Sequence, residues 1–171
     1  VDAEHGAAVD AALHEMNSSR GTTVIFATHS REQAVRLAHR VFLLHEGGLV
    51  PFHPDNHFSG ILEDAPDGGR WIVLEGGVRL AVSTEKASGR ISCTIPPDSI
   101  IVSRQPLESS ARNCLRGPVT AIALDDGRVR ITVDTGVSMT ATVTKASYDD
   151  IRPSAGEDIY LTFKASSIEV F

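Results

Sequence analysis

Apolar residues change their spacing repeatedly along this chain. Val9, Ala12, Leu13 and Met16 recur at the interval that lines one helix face, and Asn17-Ser18-Ser19-Arg20-Gly21 ends that helix, glycine being suited to the left-handed residue that follows one. Thr22-Thr23-Val24-Ile25-Phe26-Ala27 is β-rich with no polar alternation past Thr23, which predicts a strand covered on both faces, as in a parallel sheet. Ser30 is placed to cap a second helix, with Gln33 completing a capping box and Ala34, Val35, Leu37 and Ala38 supplying the apolar face. Val41–Leu44 predicts another strand, turned by Glu46-Gly47-Gly48 into Leu49-Val50. The order helix, strand, helix, strand predicts the closing part of a doubly wound α/β sheet, where ligands lie beyond the carboxyl ends of strands. His29 follows such an end.

Pro51–Ser59 carries no periodicity and reads as a linker. Beyond it the apolar spacing falls to two, and the chain repeats itself. Ile72–Leu80 lies over Ile131–Met139, each a strand, an acidic turn with glycine and a second strand; Ile91–Pro96 lies over Ile159–Lys164, and Ser99–Val102 over Ser167–Val170. The second copy is longer around Lys145–Ala155, which includes a short helical turn, Lys145–Ile151, ended by Arg152-Pro153. The predicted fold class is therefore an α/β fragment followed by all-β structure made of two duplicated, OB-like small barrels. The boundaries expected are 1–57, 58–107 and 108–171.

Composition narrows the partners. With 42% hydrophobic and 22% charged residues the chain can bury a core, and a net charge of −6 gives it no general positive field for nucleic acid. Its longest apolar runs, Val24–Ala27 and Val41–Leu44, fall far short of a membrane-spanning helix, and no signal-peptide pattern appears. Cys93 and Cys114 show no C-x-x-C spacing, so free thiols in a reducing cytosol are expected. All seven histidines fall at or before His57. His53 and His57 suggest a metal site, but Pro54 keeps them from sharing a helix face, so no metal ligands are assigned. The first residue is Val1 rather than Met, and the chain is expected to be a fragment without its N-terminal part.

The residues with the most specific chemistry lie in the second copy. Ser109-Ser110-Ala111-Arg112-Asn113 and, some fifty residues on, Phe163-Lys164-Ala165-Ser166-Ser167 both set hydroxyls beside a cation. A tetrahedral dianion offers only acceptor oxygens, so its site must supply N–H, O–H and cationic donors. The two segments together resemble the Mop domain, which binds molybdate and tungstate, from Ser109 to Phe171. That resemblance assigns the oxyanion to Ser110, Arg112, Asn113, Lys164, Ser166 and Ser167. In the first copy Pro96 stands where Lys164 does, and nothing before Gly60 corresponds to the Ser110–Asn113 donors, so only the second copy is expected to bind.

The first 57 residues resemble the end of an ABC transporter ATPase. Thr28-His29-Ser30, Glu32-Gln33-Ala34, Leu37-Ala38, Arg40-Val41 and Glu46-Gly47-Gly48 match the family's switch-histidine segment in order and spacing. The resemblance makes His29 the histidine that reaches the γ-phosphate of ATP and places Asp2 in the loop that crosses the nucleotide-sandwich dimer. The sequence holds no G-x-x-x-x-G-K-[ST] phosphate cradle, signature segment or acidic Mg²⁺-binding strand. This chain alone is therefore expected neither to bind nor to hydrolyse ATP.

The function these resemblances imply is the energising subunit of a molybdate or tungstate ABC importer, an ATPase when complete with ATP and Mg²⁺, whose Mop unit binds the oxyanion for regulation. Its partners would be a membrane permease, a second copy of itself and, indirectly, an extracytoplasmic oxyanion-binding protein, at the cytoplasmic face of the membrane. The alternatives are an oxyanion-responsive transcription regulator and a Mop-type storage protein. Before His57 seven acidic residues face four arginines, which disfavours a DNA-reading head.

Overall fold

Strand pairing organises most of what the computed structural model describes, namely residues 12–13, 15–17, 19, 22–30, 33–34, 37–38, 40–45, 47–52, 54–65, 68–125 and 127–171. These fall into two compact units, Val1–Phe52 and His53–Phe171.

In the first unit residues 12–13, 15–17 and 19 are helical, as their apolar spacing predicts. Ser30 caps the second helix as expected. Its Oγ accepts the Gln33 amide at 3.2 Å, its own amide donates to Thr28 Oγ1 at 3.0 Å, and Thr28 Oγ1 donates onward to Gln33 Oε1 at 2.8 Å. The capping box thus runs through Thr28. Strands β1 (Phe42–His45) and β2 (Gly48–Pro51) form an antiparallel hairpin around Gly47, whose φ of 81° favours glycine. The segment 22–27 departs from expectation. It forms no strand, its burial alternates, and Ile25 is 94% exposed, because a doubly covered strand requires neighbours on both sides and none of the described residues pairs with it.

The second unit holds two five-stranded sheets built on one plan. The first repeat supplies β3 (His57–Asp64), β4 (Arg70–Leu74), β5 (Arg79–Ala81), β6 (Gly89–Thr94) and β7 (Ile101–Ser103). The second supplies β8 (Asn113–Asp125), β9 (Arg128–Asp134), β10 (Ser138–Thr144), β11 (Asp158–Phe163) and β12 (Glu169–Val170), with helix α1 (Lys145–Ile151) between β10 and β11. The sheet orders are β12-β6-β3-β4-β5 and β10-β9-β8-β11-β7. Each repeat's last strand therefore completes the other repeat's sheet. Cys93 pairs with Val170 as Leu161 pairs with Val102, which is the correspondence read from sequence for these strands. Buried residues of both repeats, among them Leu62, Ile72 and Ile95 with Ile131, Leu161 and Phe163, form one core. α1 begins at Thr144, whose hydroxyl accepts the Ser147 amide at 3.1 Å, and ends at left-handed Arg152.

The hairpin alignment needs a correction. Sequence placed Ile72 over Ile131, but the ladders place it over Val133: Gly60 lies against the Val73 carbonyl as Gly117 lies against that of Asp134. The two-residue difference is absorbed in the turns, where Leu74 bonds to Val78 in the first repeat and Thr135 to Val137 in the second. A slip of two preserves the alternation of buried and exposed positions, so the pattern could not detect it.

The supposed linker is also structural. Residues 54–56 form a 3-10 turn that delivers the fully buried Asn56 to the other repeat. Asn56 Oδ1 accepts the Thr140 amide and its Nδ2 donates to the Thr140 carbonyl, both at 2.7 Å, with a further bond to the Ile95 carbonyl at 3.1 Å. Asn113 reciprocates, its Oδ1 accepting the Ala81 amide at 2.7 Å and its Nδ2 donating to the Ala81 carbonyl at 2.9 Å. Ala81 and Thr140 stand on β5 and β10, the outer strands of the two sheets. A carboxamide carries one acceptor and a donor pair, so it satisfies a strand edge as a neighbouring backbone would.

Asn113→Ala leaves the buried Ala81 amide and carbonyl without these partners. At about 1–3 kcal/mol per unsatisfied group, urea unfolding should show roughly 2–4 kcal/mol of lost stability, and similarly for Asn56→Ala. Gly117→Ala should also destabilise the fold, because its Cβ would overlap the Asp134 carbonyl. Unchanged midpoints in all three variants would contradict the clamp.

Candidate functional site

A half-open groove of about 350 Å³ runs between the repeats. One wall is Gly68, Gly69 and Arg70 with Ala81–Thr84 of the first repeat; the other is Arg112 and Ala165 of the second. Asn113 fixes the first wall against the second by holding Ala81, and the Ser83 amide donates to the Ala165 carbonyl at 3.2 Å. Arg70 stiffens the floor. Its guanidinium bonds Asp64 Oδ1 at 3.0 Å, the Thr84 carbonyl at 3.1 Å, Ser88 Oγ at 2.9 Å and the Lys86 carbonyl. Gly68 and Gly69 leave the space open because they carry no side chains.

The predicted oxyanion residues separate into roles. Arg112 lines the groove and is exposed. Lys164, Ser166 and Ser167 belong to the turn around Ala165, with the Ser167 amide closing on the Lys164 carbonyl at 3.0 Å; Lys164 and Ser166 are exposed and Ser167 is half-buried. Arg112 and this turn meet at the groove through Ala165. Ser110 is exposed in the bend before Arg112 and is not among the lining residues. Asn113 is buried and clamps Ala81, its Oδ1 accepting the Ala81 amide and its Nδ2 donating to the Ala81 carbonyl, a structural duty that the anion role expected of it did not include. Ser83 and Thr84 escaped the sequence reading, which confined the donors to the second repeat. Reciprocity between Asn113 and an asparagine preceding the first repeat was the signal that could have found them.

In the first unit His29 is exposed between Thr28 and the cap Ser30, at the start of a helix. Asp2 lies outside the described residues. Among the described residues no three His, Cys, Asp or Glu side chains gather to hold a metal. His57 instead stacks on Phe171, ring centroids 5.6 Å apart.

These features, two OB-like repeats with exchanged strands and a donor-lined groove between them, coincide with a family match: residues 109–170 match the family model described as the TOBE domain. The chain carrying it is homologous over most of its length to the ATP-binding proteins of molybdate and tungstate import. It is 29% identical over 167 residues to the molybdate/tungstate import ATP-binding protein WtpC of Pyrococcus abyssi, covering 88% of this chain and 48% of that protein. It is 26% identical over 183 residues to the molybdenum import ATP-binding protein ModC of Haemophilus influenzae, covering 91% and 51%. The chain thus spans about half the length of the curated relatives it matches. Its fold is that of the cytoplasmic molybdate-binding protein ModG, solved with molybdate bound, at a TM-score of 0.61 and 22% identity over 70% of this chain and 96% of that one.

The two thiols differ in chemistry. Cys93 is buried in β6, and loss of solvent pushes its pKa from 9.0 up to about 12. Cys114 is exposed in β8 and accepts a weak hydrogen bond from Thr162 Oγ1 at 3.6 Å. Because Cys114 is open to solvent and Cys93 is buried, the native chain should release one fast equivalent of chromophore from a disulfide reagent, through Cys114, and a second only on unfolding. Two fast equivalents would contradict the buried position of Cys93.

Proposed function

We propose that this chain is the C-terminal part of the ATP-binding subunit of a molybdate or tungstate ABC importer, and that its TOBE region senses the cytoplasmic oxyanion. The observation that carries this reading is the groove lined by Arg112 and Ala165 on one side and by Ala81–Thr84 of the other repeat on the other, with Lys164, Ser166 and Ser167 flanking Ala165 in its turn. Arg112 and Lys164 supply charge; Ser83, Thr84, Ser166 and Ser167 offer neutral donors to the remaining oxygens. Because walls from both repeats enclose it, a bound dianion would tie the repeats together and could report its presence to the rest of the subunit.

In the whole protein, residues outside this chain would hold Mg²⁺ and most of the ATP, with His29 reaching the γ-phosphate and Asp2 in the loop crossing the dimer. The isolated chain would have no ATPase activity, lacking the phosphate cradle and metal ligands. The exposure of Ile25, Leu44 and Leu49, at 94%, 73% and 70%, suits a first unit covered by further parts of a nucleotide-binding domain. Homology to importer subunits supports a membrane permease and a second copy as partners, at the cytoplasmic face of the membrane.

Calorimetric titration with molybdate and tungstate tests the site. A charge-assisted hydrogen bond contributes about 1.5–3 kcal/mol, so Arg112→Ala or Lys164→Ala should weaken binding roughly 10- to 100-fold, and Ser83→Ala less. The proposed donors include no histidine or carboxylate, so the affinity should stay flat between about pH 6 and 8. Arg79→Ala, which removes a cation stacked 5.1 Å from Trp71, should leave binding intact. Unchanged affinity in both Arg112→Ala and Lys164→Ala would remove the groove from consideration.

A further inference from the structure

The duplicated scaffold repeats, at a second place between the repeats, the positions that line the first groove. Asn56 corresponds to Asn113, since each clamps the other repeat's outer strand, so Asp55 takes the place of Arg112. Thr140 corresponds to Ala81 by the same clamps, so 140–143 repeats the wall 81–84. The Val82 amide bonds to Arg70 as Ala141 pairs with Ile131, so Arg130 occupies the position of Gly69. On the last wall Pro96 and Pro97 replace Lys164 and Ala165.

These replacements have a joint effect. Where the first groove has space over Gly69 and a cation at Arg112, the second place has an arginine side chain and a carboxylate. The two meet: Arg130 Nη2 lies 2.6 Å from Asp55 Oδ1, and Asp125 Oδ2 lies 3.6 Å from Arg130 Nη1. Arg130 and Asp55 are 36% and 32% exposed, so the pair is partly withdrawn from water inside the unit. A carboxylate offers a guanidinium the same kind of acceptor oxygens as an oxyanion does. Being tethered, it competes at an effective concentration on the order of millimolar or above, which a dilute solute does not match.

We propose that this second place is a closed copy of the anion site, in which the Asp55 carboxylate holds Arg130 in place of an external anion, so that the chain takes one oxyanion rather than two. This rests on the oxyanion reading of the first groove. It also assigns Asp55 and Arg130 a part in setting stoichiometry, which neither resemblance nor repeat alignment gives them.

Tungstate titration of the wild type, Asp55→Ala and Asp55→Arg, each also combined with Arg112→Ala, tests the inference. Asp55→Arg places beside Arg130 the cation that Arg112 gives the first groove. The ion pair is half-exposed and contributes little to stability, so these variants should stay folded, which circular dichroism verifies. One site per chain is expected in the wild type and two in Asp55→Arg. In the Arg112→Ala background, where binding is weakened, Asp55→Arg should restore a site, weaker than the native one because Pro96 stands where Lys164 does. Asp55→Ala should show a smaller gain, Arg130 being released but still near Asp125. Two sites in the wild type, or no added site in either Asp55 variant in either background, would overturn the inference. A wild type without any site counts against the oxyanion reading alone, because a gain on Asp55→Arg remains measurable in that case.

Discussion

Everything distinctive in the second unit depends on a carboxamide meeting the outer edge of a β-sheet. Asn56 and Asn113 each present an acceptor and a donor to the amide and carbonyl of one residue on the opposite repeat, Thr140 and Ala81. An outer strand with unsatisfied backbone groups is costly when buried and prone to pairing with other chains when exposed. Here the edges are closed at these points by the partner repeat. The same exchange operates at the far side of each sheet, where β12 pairs with β6 and β7 with β11. Neither repeat completes its sheet or its core alone, which is why the pair acts as one folding unit.

The groove proposed to take the oxyanion depends on the same reciprocity. Holding Ala81 against Asn113 brings the loop 81–84 beside Arg112, and the Ser83 bond to the Ala165 carbonyl brings it beside the Lys164–Ser167 turn. A symmetric scaffold gives two such meetings, and the sequence differentiates them with few changes. Gly69 and Arg112 line one groove, whereas at the corresponding positions of the other repeat Arg130 and Asp55 form an ion pair. Structural and chemical duties fall on adjacent residues, Asn113 clamping and Arg112 facing the groove.

Much of this was legible beforehand, for stated physical reasons. Strands with one buried face carry a period of two, so β9 and β10 could be read; Ser30 is a good cap residue with Gln33 three positions on, so the start of that helix could be placed. The cationic, hydroxyl-rich segments around Arg112 and Lys164 were visible because such a combination is rare by chance. What stayed hidden was long-range. Asn56 sits in a polar stretch that reads as a linker, since nothing local marks a side chain committed to a strand eighty-four residues away. The two-residue slip between β4 and β9 was invisible because it leaves the alternation intact. Ser83 and Thr84 carried no motif, and only the fold brings them to Arg112. The segment 22–27 misled because an apolar run records a tendency to be covered, without specifying the cover.

The most direct test of the account is anomalous diffraction from crystals of this chain grown with tungstate, tungsten being readily located by its scattering. The account predicts one strong tungsten peak per chain in the groove between the repeats, within hydrogen-bonding distance of Arg112 and of donors from the 81–84 loop. Tungsten found only at positions that involve neither Arg112 nor that loop would contradict it.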